Sequence, residues 1–112
     1  MRPALPVLRG TLDLLVLKAL TWRSMHGFEI TEWLERTADG NLELVDSALY
    51  QALYRLEERR LIDSEWGTTD NNRRARYYAI TAAGRNLLKQ ETANWERYAG
   101  TVSAILAATR SA

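Results

Sequence analysis

Between residues 46 and 62 the chain reads DSALYQALYRLEERRLI, with leucines at 49, 53 and 56. Spacings of four and then three put those leucines on one face of a helix. The opposite side carries Ser47, Tyr50, Gln51, Tyr54 and Arg55, which are donors, acceptors and flat rings, with no acidic residue before Glu57. Asp46 and Ser47 stand where an N-cap is wanted, since either side chain can accept a free backbone N–H. An ordinary amphipathic helix with two exposed tyrosines fits this pattern. So does a helix whose polar face reads bases and phosphates in the major groove of DNA.

The rest of the chain supplies the context. Residues 1–8 contain Pro3 and Pro6 and predict an irregular, fraying arm in which Arg2 and Arg9 are available to phosphate. Residues 11–22, TLDLLVLKALTW, predict a helix with only Asp13, Lys18 and Thr21 clearly polar. A helix apolar almost all round must be covered on more than one side. A chain this short is expected to do so with its own core on one face and a second subunit on another. After a break at residues 23–27 (RSMHG), Phe28, Ile30, Trp33, Leu34 and Ala38 form a second helical stripe, with His26 capping or packing at its start in preference to touching a phosphate there, and Gly40 at its stop. Two helices joined by a short connector, with the 46–62 helix as the second, make a helix-turn-helix.

Residues 61–67 alternate Ile62 and Trp66 against Asp63 and Glu65, and residues 75–81, ARYYAIT, are aromatic and β-branched. Both predict strands. Between them Asp70, Asn71 and Asn72 suit a turn that includes positive φ. Alone, the hairpin's Arg73 and Arg74 would be a solvated tip; beside a reading helix they predict a wing that touches the DNA backbone or minor groove. Thr81 then caps a last helix, with Gly84 where a capping box would have Glu or Gln. That helix, near ~40 Å at 1.5 Å per residue, places Leu88, Trp95 and Val102 seven apart and interleaves Glu91, Tyr98 and Ile105 at the same interval. Apart from Glu91 this is an a/d seam, which asks for a partner helix. A homodimer interface of Leu12, Leu15, Leu88, Trp95, Tyr98, Val102 and Ile105 follows, in preference to the last helix folding back on its own chain.

Composition adjusts this picture. The 112 residues allow one modest core, and no run is apolar and long enough to span a membrane. Net charge is +1, so a nucleic-acid partner cannot be argued from the total. The distribution says more: residues 1–46 are acidic on balance, while Arg73, Arg74 and Arg76 fall within four positions. Cysteine is absent, which rules out disulfides and cysteine zinc sites and fits a cytoplasmic protein with no signal peptide. His26 stands alone and builds no metal site, there is no phosphate-cradling glycine loop, and no nucleophile has a histidine partner. No catalytic constellation, cofactor or metal is expected.

Four stretches in order, LRGTLDLLVLKAL, MHGFEI, SALYQALYRLEERRLIDSEWG and NNRRARYYAITAAG, resemble the PadR family of bacterial transcriptional regulators, in its short subclass with one C-terminal helix. The resemblance runs from about residue 8 to residue 95. It implies a mainly α fold with a small β-hairpin: a winged helix-turn-helix over residues 1–81 and a dimerisation helix over residues 82–112. It implies a homodimer that represses transcription from an inverted-repeat operator on double-stranded DNA, often beside its own gene. Ser47, Tyr50, Gln51, Tyr54 and Arg55 match the positions that enter the major groove, and Asn72, Arg73 and Arg74 match the wing contacts. Trp95 matches a position at which short members bind flat aromatic compounds between subunits; packing in the dimer seam is the equal alternative for it.

Two residues depart from the family's pattern. Gln51 stands where proline is usual, and since proline there would only shape a first helical turn, Gln51 is expected at a base edge, where it can bond adenine bidentately. Arg60 replaces the glycine usual before the Leu-Ile pair, which puts the helix end and the strand that leaves it in question. Two rival functions stand beside the regulator. One is a winged-helix module that binds protein, which the near-neutral charge favours. The other is a dimer that binds aromatic ligands and has no DNA function.

Overall fold

The structure, a computed structural model, describes residues 3–7 and 10–111. Arg2 and Arg9, the two expected arm cations, lie outside them. In chain order the elements are β1 (Leu5–Pro6), α1 (Thr11–Ala19), β2 (Met25–His26), α2 (Gly27–Ala38), β3 (Leu42–Glu43), α3 (Asp46–Glu58), β4 (Ile62–Thr68), β5 (Arg74–Ile80) and α4 (Ala82–Ala107). The winged helix-turn-helix with a long final helix is therefore as the periodicities predict.

The core is apolar throughout: Val16, Leu17 and Leu20 from α1 and its C-cap, Ile30 and Leu34 from α2, Leu49, Leu53 and Leu56 from α3, and Ile62 and Tyr78 from the hairpin. The 49/53/56 stripe is thus the inward face of α3. Helix α1 is mostly covered by its own chain, and of its apolar residues only Leu14 and Leu15 are left half-buried. It needs less of a second subunit than its composition suggested. Trp22 lies beyond the end of α1, exposed, with its ring 6.2 Å from that of Trp33. Phe28 and Trp66, both read as inward from their patterns, are exposed.

Three short strands escape pattern reading. β2 adds an antiparallel edge to β5, pairing Met25 with Tyr78 and His26 with Tyr77, so the sheet runs β2-β5-β4. β1 pairs in parallel with β3, Leu5 opposite Leu42, and this ties down the described part of the arm that was expected to fray.

The helix ends divide between agreement and correction. His26 caps α2 in a full capping box: its Nδ1 accepts the Glu29 N–H at 3.4 Å, and Glu29 Oε1 accepts the His26 N–H at 3.2 Å. Thr81 caps α4, its Oγ1 accepting the Gly84 N–H at 3.1 Å. For α3, however, the N-cap is Val45 and no side chain bonds there. Asp46 is the first helical residue, so its charge acts on the helix dipole and does not cap a donor. This start makes Gln51 a second-turn residue. A proline in its place would lose an intrahelical bond, so its effect would not stop at shaping a first turn.

Arg60 takes the left-handed conformation, φ 60°, and α3 ends as a glycine would end it. The Leu61 N–H bonds the Leu56 carbonyl and the Arg60 N–H bonds the Glu57 carbonyl, both at 2.9 Å. These are the two bonds of a Schellman end, with buried Leu61 packing over Leu56. The chain then meets the start of α4. The Thr81 N–H reaches the Leu61 carbonyl at 3.1 Å, and a Cβ on Gly84 would come within 2.2 Å of that oxygen. Glycine at 84 is the residue that lets α4 start against the α3 end.

The first turns of α4 fold back on the core through half-buried Leu87 and Leu88, which is the arrangement ranked second from sequence. Farther along, α4 runs beside α1 with hollows between them as far as Tyr98, and only its last turns stand clear. The Cα radius of gyration is 16.4 Å, against roughly 13 Å for a compact chain of this length.

Candidate nucleic-acid interface

Helix α3 presents Ser47, Tyr50, Gln51 and Tyr54 to solvent because its leucines are inward, and Tyr54 is the most open of the large side chains there at 68 %. Tyr50 is held across the start of α2: a Cβ on Gly27 would lie 2.6 Å from the Tyr50 hydroxyl. With any other residue at the first position of α2 the Tyr50 ring would have to shift. Gln51 has no such support and faces the hollow beside Val45, Ala48 and the β1 segment.

Arg55 is placed differently from its neighbours. Its Nη2 donates to Asp13 Oδ1 at 2.7 Å and its Nε to Oδ2 at 3.4 Å, which clasps α3 to α1. The hydrogen bond to Asp13 raises the guanidinium's pKa above its ordinary value. The carboxylate therefore occupies the fork that a phosphate would use. Arg55 is half exposed, so giving up Asp13 costs only about 0–1 kcal/mol.

The wing is a seven-pair hairpin closed by a turn in which Asn72 N–H bonds the Thr69 carbonyl at 2.9 Å and Asn72 takes φ 60°. The positive φ expected of the Asp70–Asn72 segment falls on Asn72. Arg73 and Arg74 follow the turn, both exposed. Arg76 is engaged: its Nη2 bonds Glu57 Oε2 at 3.1 Å and its Nε bonds Ser64 Oγ at 2.7 Å, while Ser64 also donates to Glu57. This network ties the wing's root to the last turn of α3. Tyr78, buried behind it, has its phenol pushed above its ordinary pKa by burial, with Arg76 acting the other way.

The two halves meet in one place. Tyr50, from α3, and Arg73 and Arg74, from the wing, line one open cleft of about 890 Å³ together with His26, Phe28 and Trp66 and the acidic Glu29, Glu32 and Asp70. Two of those residues were missed from sequence as parts of any site. Phe28 and Trp66 read as inward members of an apolar alternation, and only the hairpin register, which sets Trp66 opposite Arg76, could have signalled otherwise.

The expected dimer residues are spread over a different surface. Leu12, at 9 % exposure, belongs to the core of its own chain and has little left for a partner. Leu15 and Leu88 are half-buried against that core. Trp95, Tyr98 and Ile105 stand exposed along α4, Trp95 at 42 % and Ile105 at 68 %, with Val102 half-buried between them. Trp95 also borders an apolar hollow of about 490 Å³ lined by Leu5, Pro6, Val7, Leu14, Leu15 and Leu42. Among the described residues no cluster of side chains is able to hold a metal ion, and no helix is long and apolar enough to cross a membrane.

Residues 16–90 match the profile of the transcriptional regulator PadR-like family, about two thirds of the chain. The chain is 29% identical to a transcriptional regulator from Clostridium thermocellum, covering 86% of this chain and 90% of that one with a TM-score of 0.78. It is 30% identical to a PadR family transcriptional regulator from Eggerthella lenta, over 90% of this chain and 86% of the other, with a TM-score of 0.76. An uncharacterised protein of Lysinibacillus sphaericus is 25% identical over 80% of this chain and 82% of its own length.

Proposed function

The chain belongs to the PadR-like family of DNA-binding transcriptional regulators, and on that footing we propose that it works as a homodimeric repressor on an inverted-repeat operator, relieved by a planar aromatic effector. The observation that carries the reading is the shared cleft. Tyr50, from the acid-free face of α3, and two wing guanidiniums border one cleft, which Glu29, Glu32 and Asp70 also line. Phosphate contacts supply most of the affinity and base contacts the choice of sequence.

In this reading Ser47, Tyr50, Gln51 and Tyr54 enter the major groove, with Gln51 at an adenine edge. Arg55 reaches a phosphate by leaving Asp13. Asn72, Arg73 and Arg74 lie on the backbone or in the minor groove. Residues 1–81 form the DNA-binding part, and residues 82–112 the dimerisation helix that sets two copies of α3 about one helical turn apart, ~34 Å. The apolar hollow beside Trp95 supports an effector that binds between α1, α4 and a partner. Such a ligand weakens DNA binding only in so far as it prefers a dimer with the wrong spacing. Because the proposed partner is the chromosome, the reading carries a cytoplasmic location with it.

The test is binding to the chain's own upstream DNA across a salt series. The observed affinity should fall steeply with salt, by about 0.9 in log–log slope for each phosphate neutralised. A flat salt dependence would turn the reading toward a protein-interaction module. No shift at low salt, with Trp95 fluorescence still quenched by planar aromatics, would turn it toward a ligand-binding dimer. Gln51→Ala should relax preference at one adenine by about 1–3 kcal/mol while leaving α3 intact.

A further inference from the structure

The hairpin's inward face does not stop where the core stops. Ile62, Ile80, Ser64 and Tyr78 occupy it near the body, and the same face continues outward with Trp66 and Arg76, a directly opposed pair, and then with Arg74 on the diagonal. Trp66 is 56 % exposed, so burial does not explain it. What it touches does. The Arg74 guanidinium carbon sits 4.6 Å from the centroid of the indole, and that of Arg76 sits 5.9 Å from it.

The two arginines are not equivalent. Arg76 has its edge committed to Glu57 and Ser64. Among the described residues Arg74 has no side-chain hydrogen bond and no ion pair, so its edge is open. Stacking uses the flat face of a guanidinium, whereas a phosphate is held by the N–H groups around its edge. One arginine can therefore do both at once. The strand beneath Arg74 is also packed from behind. On the hairpin's other face the Tyr77 ring lies over Gly67, where a Cβ would come within 2.8 Å of it, and the Tyr77 hydroxyl bonds the Thr68 carbonyl at 3.3 Å.

We propose that Trp66 is a positioning residue of the DNA interface, holding the Arg74 guanidinium edge-outward for a backbone phosphate. The inference rests on the DNA-binding reading and adds to it a residue that need not touch DNA. Free in solution, an arginine at a wing tip loses rotamer freedom when it finds a phosphate; stacked on Trp66, Arg74 has already lost part of it.

The experiment uses the full chain and a fluorescein-labelled duplex of its own upstream DNA about three helical turns long, titrated by anisotropy at several KCl concentrations. Trp66→Leu should weaken binding about 2–5-fold per wing. Its salt slope should stay near wild type, since the charge still reaches phosphate. Arg74→Gln should lower the slope by about 0.9 per wing. Trp66→Phe should restore most of the loss, and the Trp66→Leu/Arg74→Gln double variant should bind no worse than Arg74→Gln alone. Thermal unfolding of each variant guards against a trivial loss of fold. If the two substitutions add, the indole acts on its own and positioning is refuted. If Trp66→Leu binds as wild type does, or if Phe fails to rescue, positioning is again refuted while DNA binding stands. If the wild-type chain shows no salt-dependent binding, the DNA reading fails and takes this inference with it.

Discussion

At Arg60 a side chain occupies a backbone state that favours glycine. The left-handed conformation costs a residue with a Cβ about 1–2 kcal/mol. Glycine removes that cost but gives back about 0.4–1 kcal/mol through its freer unfolded chain. Arg60→Gly should therefore stabilise the protein by about 0.5–1 kcal/mol, read as a rise in the denaturation midpoint at unchanged slope. A loss of stability would mean that the Arg60 side chain makes a contact that outweighs the strain. Some roles set by near neighbours were legible without coordinates, His26 and Thr81 as caps and a positive φ within Asp70–Asn72, whereas the cap expected of Asp46 or Ser47 was not formed. Roles set by distant partners were not legible. Arg55 read as a free cation because Asp13 lies 42 positions away. Trp66 read as core because alternation gives the face of a strand but not the point along it where the body ends.

Among the elements, α2 carries a pH dependence. Burial pushes the Glu29 carboxyl up, but the His26 backbone N–H, the Arg23 hydrogen bond and the Arg23 charge outweigh it and hold the carboxyl below its usual 4.5. A carboxyl lowered on folding contributes stability that is whole above its unfolded value and is lost as pH falls through the lower folded value. Glu29→Gln keeps a capping-box acceptor and loses the charge. It should cost up to ~1 kcal/mol near neutral pH, with the gap to wild type closing below about pH 4, measured by urea unfolding across pH. A gap that persists in acid would assign the loss to packing. The four helices and the hairpin were visible in the sequence because each repeats its apolar period several times. β1, β2 and β3 span two residues apiece, too few to show any period, and their pairing is decided by which neighbours the helices bring alongside.

For the whole molecule, the far half of α4 leaves Trp95, Tyr98, Ile105 and Leu106 in water. A second copy is the partner proposed for them. Wild type should sediment at twice 12.8 kDa, and Val102→Glu with Ile105→Glu should yield a folded monomer whose DNA affinity is lower by about a hundredfold or more, because two half-sites are no longer engaged together. A dimer that survives both charges would place the interface elsewhere.

Periodicity and caps, read along the chain, already determined four helices, one hairpin, a turn with positive φ and a resemblance to one family of regulators, because these depend on residues within a few positions of one another. Tertiary structure alone decided that Arg55 is clasped by Asp13, that Tyr50 rests on Gly27, that Trp66 leaves the core to lie under Arg74, and that α3 and the wing open into one cleft. All but the Trp66–Arg74 contact, which lies within one hairpin, are meetings of residues far apart in the chain. Which of them meet is fixed by how the helices and the hairpin pack on the shared leucine core, and no local pattern carries that packing.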